Sequence, residues 1–500
     1  MTARHILAVD QGTTGTTVLV LDHDCAVRGR AYSEFRQSYP RPGWVEHDAS
    51  EIWDVSHRGM ARALADAGVQ ASDLAAVGIT NQRETTLLWD RASGEPVAPA
   101  IVWQDRRTAS FTEELREAGH EDLVRRKTGL VLDPYFSGTK IRWLLEHTDG
   151  LRERVERGEI AFGTMDSWLI WQLTGGRYHV TDYTNACRTL LYNIHDLCWD
   201  EELLDLFGVP AVLLPEVRPS SHVFGETNPE AFFGQSVPIG SAAGDQHAAL
   251  FGQACFERGL VKSTYGTGSF VLMNTGRDAV RSEAGLLTTI AWGIGDEPVE
   301  YALEGAIFVT GAAVQWLRDG LGIIEQAAET EALARSIEGN DGVYFVPALA
   351  GLGAPHWDPH ARGALLGLTR GTTRAHLARA TLESIAYQTR DIVEAMQRDS
   401  GLTLPELRAD GGAVGNAFLM QFQADMLGTP VEVPQITETT AVGAAFMAGL
   451  AIGFWVSREE LRERWQLGAR YEPQADEEHR ERLHARWLRA VEHAKGWALD

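Results

Sequence analysis

The sequence predicts an α/β protein of two similar domains with a cleft between them. Three features predict it. Ile6-Leu-Ala-Val-Asp10, Gln11-Gly-Thr-Thr-Gly15 and Thr16-Thr-Val-Leu-Val-Leu21 read as strand, Gly/Thr turn and strand. The pattern returns in Gly259-Leu-Val-Lys-Ser-Thr-Tyr265, Gly266-Thr267-Gly268-Ser269 and Phe270-Val-Leu-Met273. A length of 500 residues also exceeds what one hydrophobic core normally organises. The boundary is expected between Gly252 and Gly259, giving an N-terminal domain of residues 1–252 and a C-terminal domain of residues 253–500.

The remaining elements follow in order. Asp48 is placed as the N-cap of a helix with Glu51 at N3, and Ile52, Trp53, Met60, Ala63, Leu64 and Ala67 recur at helical spacing. Ala76 to Thr80 is a strand that ends on Asn81-Gln82-Arg83-Glu84. A third Gly-rich turn, Asp410-Gly-Gly-Ala-Val-Gly-Asn416, precedes a helical stretch from Ala417 to Leu427. No Pro-rich or Ser-rich linker separates the halves, so they are expected to share a substantial interface. Ser457 to Asp500, with Leu461, Trp465, Leu483, Trp487, Ala490 and Val491 at helical spacing, reads as a solvated outer helix pair.

Composition excludes several classes. Lys plus Arg is 45 and Asp plus Glu is 69, a net charge of −24, which argues against nucleic-acid or anionic-membrane partners. Cys25, Cys187, Cys198 and Cys255 show no C-x-x-C spacing and suggest neither zinc nor a disulfide framework. Met1 to Asp10 lacks the layout of a signal peptide, and Ala441 to Phe454 is too short and Gly-rich to span a bilayer. A cytoplasmic protein is expected.

The common nucleotide motifs are missing. None of the lysines, Lys127, Lys140, Lys262 and Lys495, follows a glycine, so there is no Walker A loop. Neither a complete G-x-G-x-x-G after a strand nor the protein-kinase motifs are present. Tight Gly/Thr turns provide another route, because successive backbone N–H groups form an anion site without basic side chains. Asp10, at the mouth of the first turn, either caps it or holds Mg²⁺ through water. Arg83-Glu84, Tyr135 and Gly244-Asp245-Gln246-His247 form a polar set suited to adjacent hydroxyls, since Arg and Gln donate and carboxylates accept. An Asp there can act as general base. His356 and His360, separated by three residues, are read as a loop because Pro355 and Pro359 flank them.

Seven blocks carry a family resemblance: Asp10-Gln-Gly-Thr-Thr14, Asn81-Gln-Arg-Glu-Thr-Thr86, Trp103-Gln-Asp-Arg-Arg107, Gly244-Asp-Gln-His247, Thr264-Tyr-Gly-Thr-Gly268, Tyr301-Ala-Leu-Glu-Gly305 and Asp410-Gly-Gly-Ala-Val414. With Tyr135-x-Ser-x-x-Lys-Ile-x-Trp143, they resemble the FGGY family of carbohydrate kinases, and within it the members that phosphorylate glycerol. The resemblance implies two ribonuclease-H-like (actin/hexokinase-type ATPase) domains with ATP, Mg²⁺ and glycerol in the cleft. Carried over by position, Arg83, Glu84, Tyr135, Asp245 and Gln246 would bind glycerol, with Trp103 and Phe270 along its carbon face. Thr13, Thr14, Gly15 and Thr267 would lie against the phosphates, and Gly311, Gln315, Gly412 and Asn416 on the nucleotide side. Asp10 would organise Mg²⁺ and Asp245 would be the general base, giving glycerol 3-phosphate, the first step of glycerol catabolism. Relatives of this kind are often homodimers or homotetramers.

The chain departs from the family in places. Gly15-Thr16-Thr17 stands where Ser-Ser-Arg is common, which removes a cation from the phosphate site. Asn228 to Gly240 carries no basic residue for a sugar-bisphosphate regulator. Phe232 and Phe233 lie near the place where some relatives carry a phosphorylatable histidine; the nearest upstream histidine is His222. The alternatives are a family kinase for another polyol or a ketose, and a non-catalytic actin-like switch protein. An aromatic-lined pocket favours three carbons, and a switch protein has no use for the polar set.

Overall fold

A computed structural model describes residues 4–498. The first sheet uses β1 (His5–Gln11), β2 (Gly15–Asp22), β3 (Val27–Glu34), β4 (Leu74–Asn81), β5 (Ser221–Glu226) and β6 (Pro238–Gly244). The second uses β7 (Val261–Tyr265), β8 (Ser269–Gly276), β9 (Leu287–Trp292), β10 (Glu300–Ile307), β11 (Leu407–Asp410), β12 (Val431–Pro434) and β13 (Leu467–Tyr471). Eight helices matter to the site and its frame: α1 (Ala49–Ala67), α2 (Ser137–His147), α3 (Asp245–Gly252), α4 (Gly311–Gln315), α5 (Arg374–Ser400), α6 (Ala417–Leu427), α7 (Thr439–Ala451) and α8 (Glu477–Ala494).

The two sheets repeat one another. In the first, ordered β5-β6-β4-β1-β2-β3, the first three strands form an antiparallel meander. β4 then lies parallel to β1, β6 parallel to β4, and β5 antiparallel at the edge. In the second, ordered β9-β10-β8-β7-β11-β12-β13, the meander is β7, β8 and β10. There β11 lies parallel to β7, β12 parallel to β11, and β13 antiparallel at the edge, with β9 added beside β10. The apolar runs of β1 and β2 are buried on both faces, as strands covered by helices must be. Asp48 caps α1, accepting the N–H groups of Ser50 and Glu51, and Gly68 ends it in the left-handed conformation.

The halves interlock. α7 follows β12 in sequence yet lies on the first sheet, where Ser241 Oγ donates to the Ala444 carbonyl at 2.8 Å and Ser221 Oγ to that of Met447 at 2.7 Å. α3 joins β6 to β7 and meets α7 backbone to backbone. A Cβ added at Gly443 would sit 1.8 Å from the Ala248 carbonyl oxygen, and one at Gly252 2.0 Å from that of Thr439. Only glycine permits this approach.

The C-terminal stretch differs from the outer helix pair expected of it. Between its two helices the chain returns as β13 and extends the second sheet. α8 buries Trp487 in the core of the second half. The helical spacing was real, but one face of α8 is covered: Trp487 Nε1 and His484 Nε2 both bond Asp391 of α5, at 2.8 and 2.7 Å. His356 also reaches Asp391, at 3.2 Å, so that loop histidine has a protein partner. Among the described residues no helix is long and apolar enough to cross a membrane.

Gly443→Ala is expected to force α3 and α7 apart and destabilise the protein by on the order of 3 kcal/mol. Gly371→Ala, where an added Cβ meets nothing closer than 3.7 Å, is expected to be near neutral. Urea midpoints of the two variants check this.

Candidate active site

β4 and α2 place the polyol-side residues. Arg83 and Glu84 follow the end of β4, and Glu84 adopts a left-handed backbone with φ 58°. That conformation is unfavourable for a residue with a Cβ and needs outside support. Ser137 Oγ donates to the Glu84 carbonyl at 3.0 Å and Thr86 Oγ1 at 3.1 Å. Lys140, one turn into α2, donates to the carbonyls of Tyr135 and Phe136 and so fixes the loop that presents Tyr135. Its burial pushes the Lys140 amine down to about 7.

Around Arg83 lies a sealed ionic cluster. Glu304 of β10 grips Arg83 with both oxygens, at 2.5 and 3.2 Å, and takes Arg188 Nη2 at 2.9 Å. Arg188 Nε donates to Glu84 at 2.6 Å. Side-chain exposure is 2 % for Arg83, 1 % for Glu84 and Glu304, and 0 % for Arg188. Burial raises the Glu84 carboxyl against the pull of Arg188 and Arg83. Burial acts the same way on Glu304, but Arg188 and Arg83 outweigh it and hold that carboxyl well below the usual range. Arg83 also lies 3.2 Å from Asp245, whose side chain is 26 % exposed. Asp245 is therefore the carboxylate of this cluster that remains open to the cleft.

Asp245 and Gln246 open α3. A Cβ on Gly244 would come within 2.7 Å of the Arg83 side chain, so glycine there lets β6 close on Arg83. Lys262 Nζ donates to Gln246 Oε1, which leaves the Gln246 amide N–H groups to donate elsewhere. His247 is sealed, with Nε2 3.1 Å from Thr289 Oγ1. Burial first, then Arg83, holds its ring well below the usual pKa, so it stays neutral. Trp103 stands edge-on to Tyr135 with centroids 5.6 Å apart, and Arg83 lies 5.6 Å from the Phe270 ring. The expected polyol residues thus converge.

The two hairpin turns have matching closures. Gly12 N bonds the Gly15 carbonyl and Gly266 N the Gly268 carbonyl, each at 2.9 Å. Trp103 Nε1 donates to Thr13 Oγ1 at 2.9 Å, linking the first turn to the Trp103–Tyr135 aromatic pair. His47 and Gln37 support it from behind. His47 Nε2 donates to Gln37 Oε1 at 2.7 Å, and Gln37 Nε2 donates to the Thr13 carbonyl at 3.0 Å. Among the described residues no lysine or arginine bonds to either turn. Asp10 has neither ion pair nor hydrogen-bonded side-chain partner there. Burial, and then Asp245, raise its carboxyl to about 7. A buried carboxylate with no protein cation paired to it suits a hard cation such as Mg²⁺, which keeps several waters.

On the nucleotide side, Gly311 N bonds the Gly266 carbonyl at 3.0 Å, and a Cβ on Gly311 would come within 2.5 Å of that oxygen. Gln315 ends α4, which starts at Gly311. A Cβ on Gly412 would meet only open space. Asn416 caps α6 through Leu419 N at 3.0 Å and donates to Thr330 Oγ1 at 3.3 Å, so its side chain is already engaged. Thr14 and Thr267 lie at the tips of their turns. Sequence reasoning gave no role to Arg188, Glu304, Lys262 or His47. One of these had a signal: Glu304 stands between Leu303 and Gly305 in the apolar part of its strand, where a charge needs a partner. Arg188, Lys262 and His47 had none.

One pH effect follows. Burial lowers His47 to about 4, so the folded protein takes its proton only near that pH while the unfolded chain does so near 6.5. Stability is then lost as pH falls from about 6.5 through 4. His179 and His247, held low by burial, act in the same window, so His47→Gln is expected to lessen this slope and not to abolish it in a plot of urea midpoint against pH.

Comparison with known proteins agrees with this geometry. Models of the FGGY family of carbohydrate kinases match the chain, the N-terminal domain over residues 5–252 and the C-terminal domain over residues 261–452. A Symbiobacterium thermophilum protein named glycerol kinase is 60 % identical over 500 residues, covering 100 % of both chains. Thermotoga maritima glycerol kinase 2 is 58 % identical over 494 residues, 99 % of each. The crystal structure of Plasmodium falciparum glycerol kinase with ADP superposes with a TM-score of 0.91 at 36 % identity, covering 99 % of this chain and 98 % of that one. A ligand-bound xylulose kinase from Lactobacillus acidophilus, at 22 % identity and a TM-score of 0.87, shares the fold. With two matched domains, relatives of full length and a cleft built from the family's own blocks, this chain belongs to the FGGY family of carbohydrate kinases.

Proposed function

We propose that this protein transfers the γ-phosphoryl group of ATP to a terminal hydroxyl of glycerol, with Asp245 as the general base. Asp245 carries the assignment: three carboxylates adjoin Arg83, and Glu84 and Glu304 are sealed under guanidinium groups while Asp245 is open. A proton acceptor has to reach the attacking hydroxyl. Glu84 and Tyr135 accept from the other hydroxyls, Arg83 and the Gln246 amide donate, and Trp103 and Phe270 border the carbon chain. The compact aromatic-lined site favours three carbons over five.

In-line phosphoryl transfer depends mainly on positioning and charge neutralisation. The Gly12–Gly15 and Gly266–Gly268 turns supply neutral backbone donors to the phosphates. Thr13, Thr14, Gly15 and Thr267 form the phosphate side, and Gly311, Gln315 and Gly412 the nucleoside side. Asn416 shapes that side as the cap of α6. Asp10 would hold Mg²⁺, which when bound neutralises phosphate charge. Trp103 ties the polyol pocket to the phosphate turn and keeps acceptor and donor in register. We further place the protein in the cytoplasm, where ATP is available and the four free cysteines stay reduced. The division into domains at residue 252 and a homo-oligomeric assembly belong to the same reading.

ADP release with Mg-ATP is expected to rise strongly with glycerol and little with water, erythritol, xylulose or ribulose. Asp245→Asn should lower kcat by about 10²-fold or more with a small change in glycerol KM. Arg83→Ala should mainly raise glycerol KM. Stimulation by a pentulose alone would move the substrate to another member of the family, and the reverse kinetic pattern would remove Asp245 as base.

A further inference from the structure

We propose that Glu304 is a positioning residue for the polyol site: from the second sheet it fixes the two guanidinium groups that hold Glu84 and Asp245 in place for glycerol. The inference rests on the phosphoryl-transfer reading above. Glu304 is not a substrate contact itself, since arginines occupy both of its oxygens, whereas Arg188 takes only Oε1 of Glu84. Its effect reaches the cleft through Arg83, which lies 3.2 Å from Asp245 and 3.4 Å from the Tyr135 hydroxyl. A second path runs through Arg188, whose Nε holds Glu84 at 2.6 Å.

The bonding leaves few substitutes. Arg188 is fully buried; among the described residues its hydrogen bonds go only to Glu84 and Glu304, and its Nη1 has no partner. Without the Glu304 charge, two buried guanidinium groups would share Glu84 and Asp245, and each would draw on the carboxylate the other needs. The open carboxylate, Asp245, would then be pulled toward Arg83.

Topology gives the arrangement a consequence. Arg83 follows β4 and Arg188 lies before β5, both in the first half, while Glu304 sits on β10, paired with Leu272 of β8 and Leu287 of β9. The cluster is complete only when the two halves are together. Glycerol recognition and the joining of the two halves therefore share one set of ion pairs. A plain structural bridge between halves would affect both substrates alike, whereas a positioning role falls on glycerol.

The test is steady-state kinetics of Glu304→Gln and Glu304→Asp beside the unmodified protein, at a temperature where circular dichroism shows all three folded. Glu304→Gln keeps the shape and removes the charge. It is expected to raise glycerol KM by about 20-fold or more while the Mg-ATP KM moves less than about threefold. Glu304→Asp keeps the charge and should recover most of that loss. An unchanged glycerol KM, or an equal rise in both KM values, would overturn the proposal. If Glu304→Gln does not fold, Glu304→Asp decides. A glycerol KM raised about threefold or more with the ATP KM unmoved supports the role, and any other pattern overturns it. If the unmodified protein answers to a different polyol, the substrate reading fails and the same comparison with that polyol judges Glu304. A protein inert to every polyol overturns both.

Discussion

The contact between α3 and α7 sets the geometry on which everything else depends. Each helix follows the last parallel strand of its half, and they meet at Gly252 and Gly443 with no room for a Cβ. α7 is anchored by its carbonyls to serines of the first sheet, while α3 carries the chain from the first sheet to the second. Asp245 and Gln246 are the first residues of α3, so the axis that joins the halves also carries the candidate base. A displacement at this glycine contact would move the base relative to both phosphate turns. Its small, apolar residues reflect backbone approach, not flexibility.

Electrostatics then divides nominally similar groups into different roles. Glu84, Asp245 and Glu304 all adjoin Arg83, yet their environments differ sharply. Glu304 is locked as an anion by two arginines, and Glu84 is held by one and desolvated by burial. Asp245 faces the cleft. His247, two residues on, would be an obvious rival base from sequence alone, but it is sealed and neutral. Burying two arginines and two glutamates together is tolerable because each charge has a partner; losing one partner strands the others. The strained backbone of Glu84 is likewise sustained by hydroxyl donors from Ser137 and Thr86, outside the strand that presents it.

Much of this was legible in the sequence. The two hairpins, the capped α1 and the helix from Ala417 to Leu427 were read from periodicity and turn chemistry, which are local. β13 was not, because a short exposed edge strand such as Leu467-Gly-Ala-Arg-Tyr471 has too little pattern to outweigh the helices beside it. Nor was the placement of α7 on the first sheet, since partner choice between two similar sheets is a tertiary matter. In the site, Arg83, Glu84, Tyr135, Asp245 and Gln246 came from quoted blocks, whereas Arg188 and Glu304 join Arg83 from 105 and 221 positions away. Their role exists only once the halves are assembled.

The acidity of the chain bears on how the phosphates are held. With a net charge of −24, a tetra-anionic nucleotide meets an unfavourable field everywhere except where the fold opposes it locally. On the proposed reading the turns do so with backbone N–H groups; among the described residues no basic side chain bonds to either. Thr17 pairs with Tyr32 across β2 and β3. The tip is closely covered there: a Cβ on Gly15 would lie 2.7 Å from the Ser33 carbonyl oxygen and 2.8 Å from the Tyr32 hydroxyl. On the same reading the phosphate side offers neutral donors and the Asp10 carboxyl, which has no ion pair among the described residues and would itself repel a bare nucleotide when ionised. Arg83 offsets Asp245 at 3.2 Å, whereas Arg188 is committed to Glu84 and Glu304 and reaches neither aspartate. On the proposed reading, the positive charge that Asp10 lacks would arrive with the nucleotide as its bound Mg²⁺.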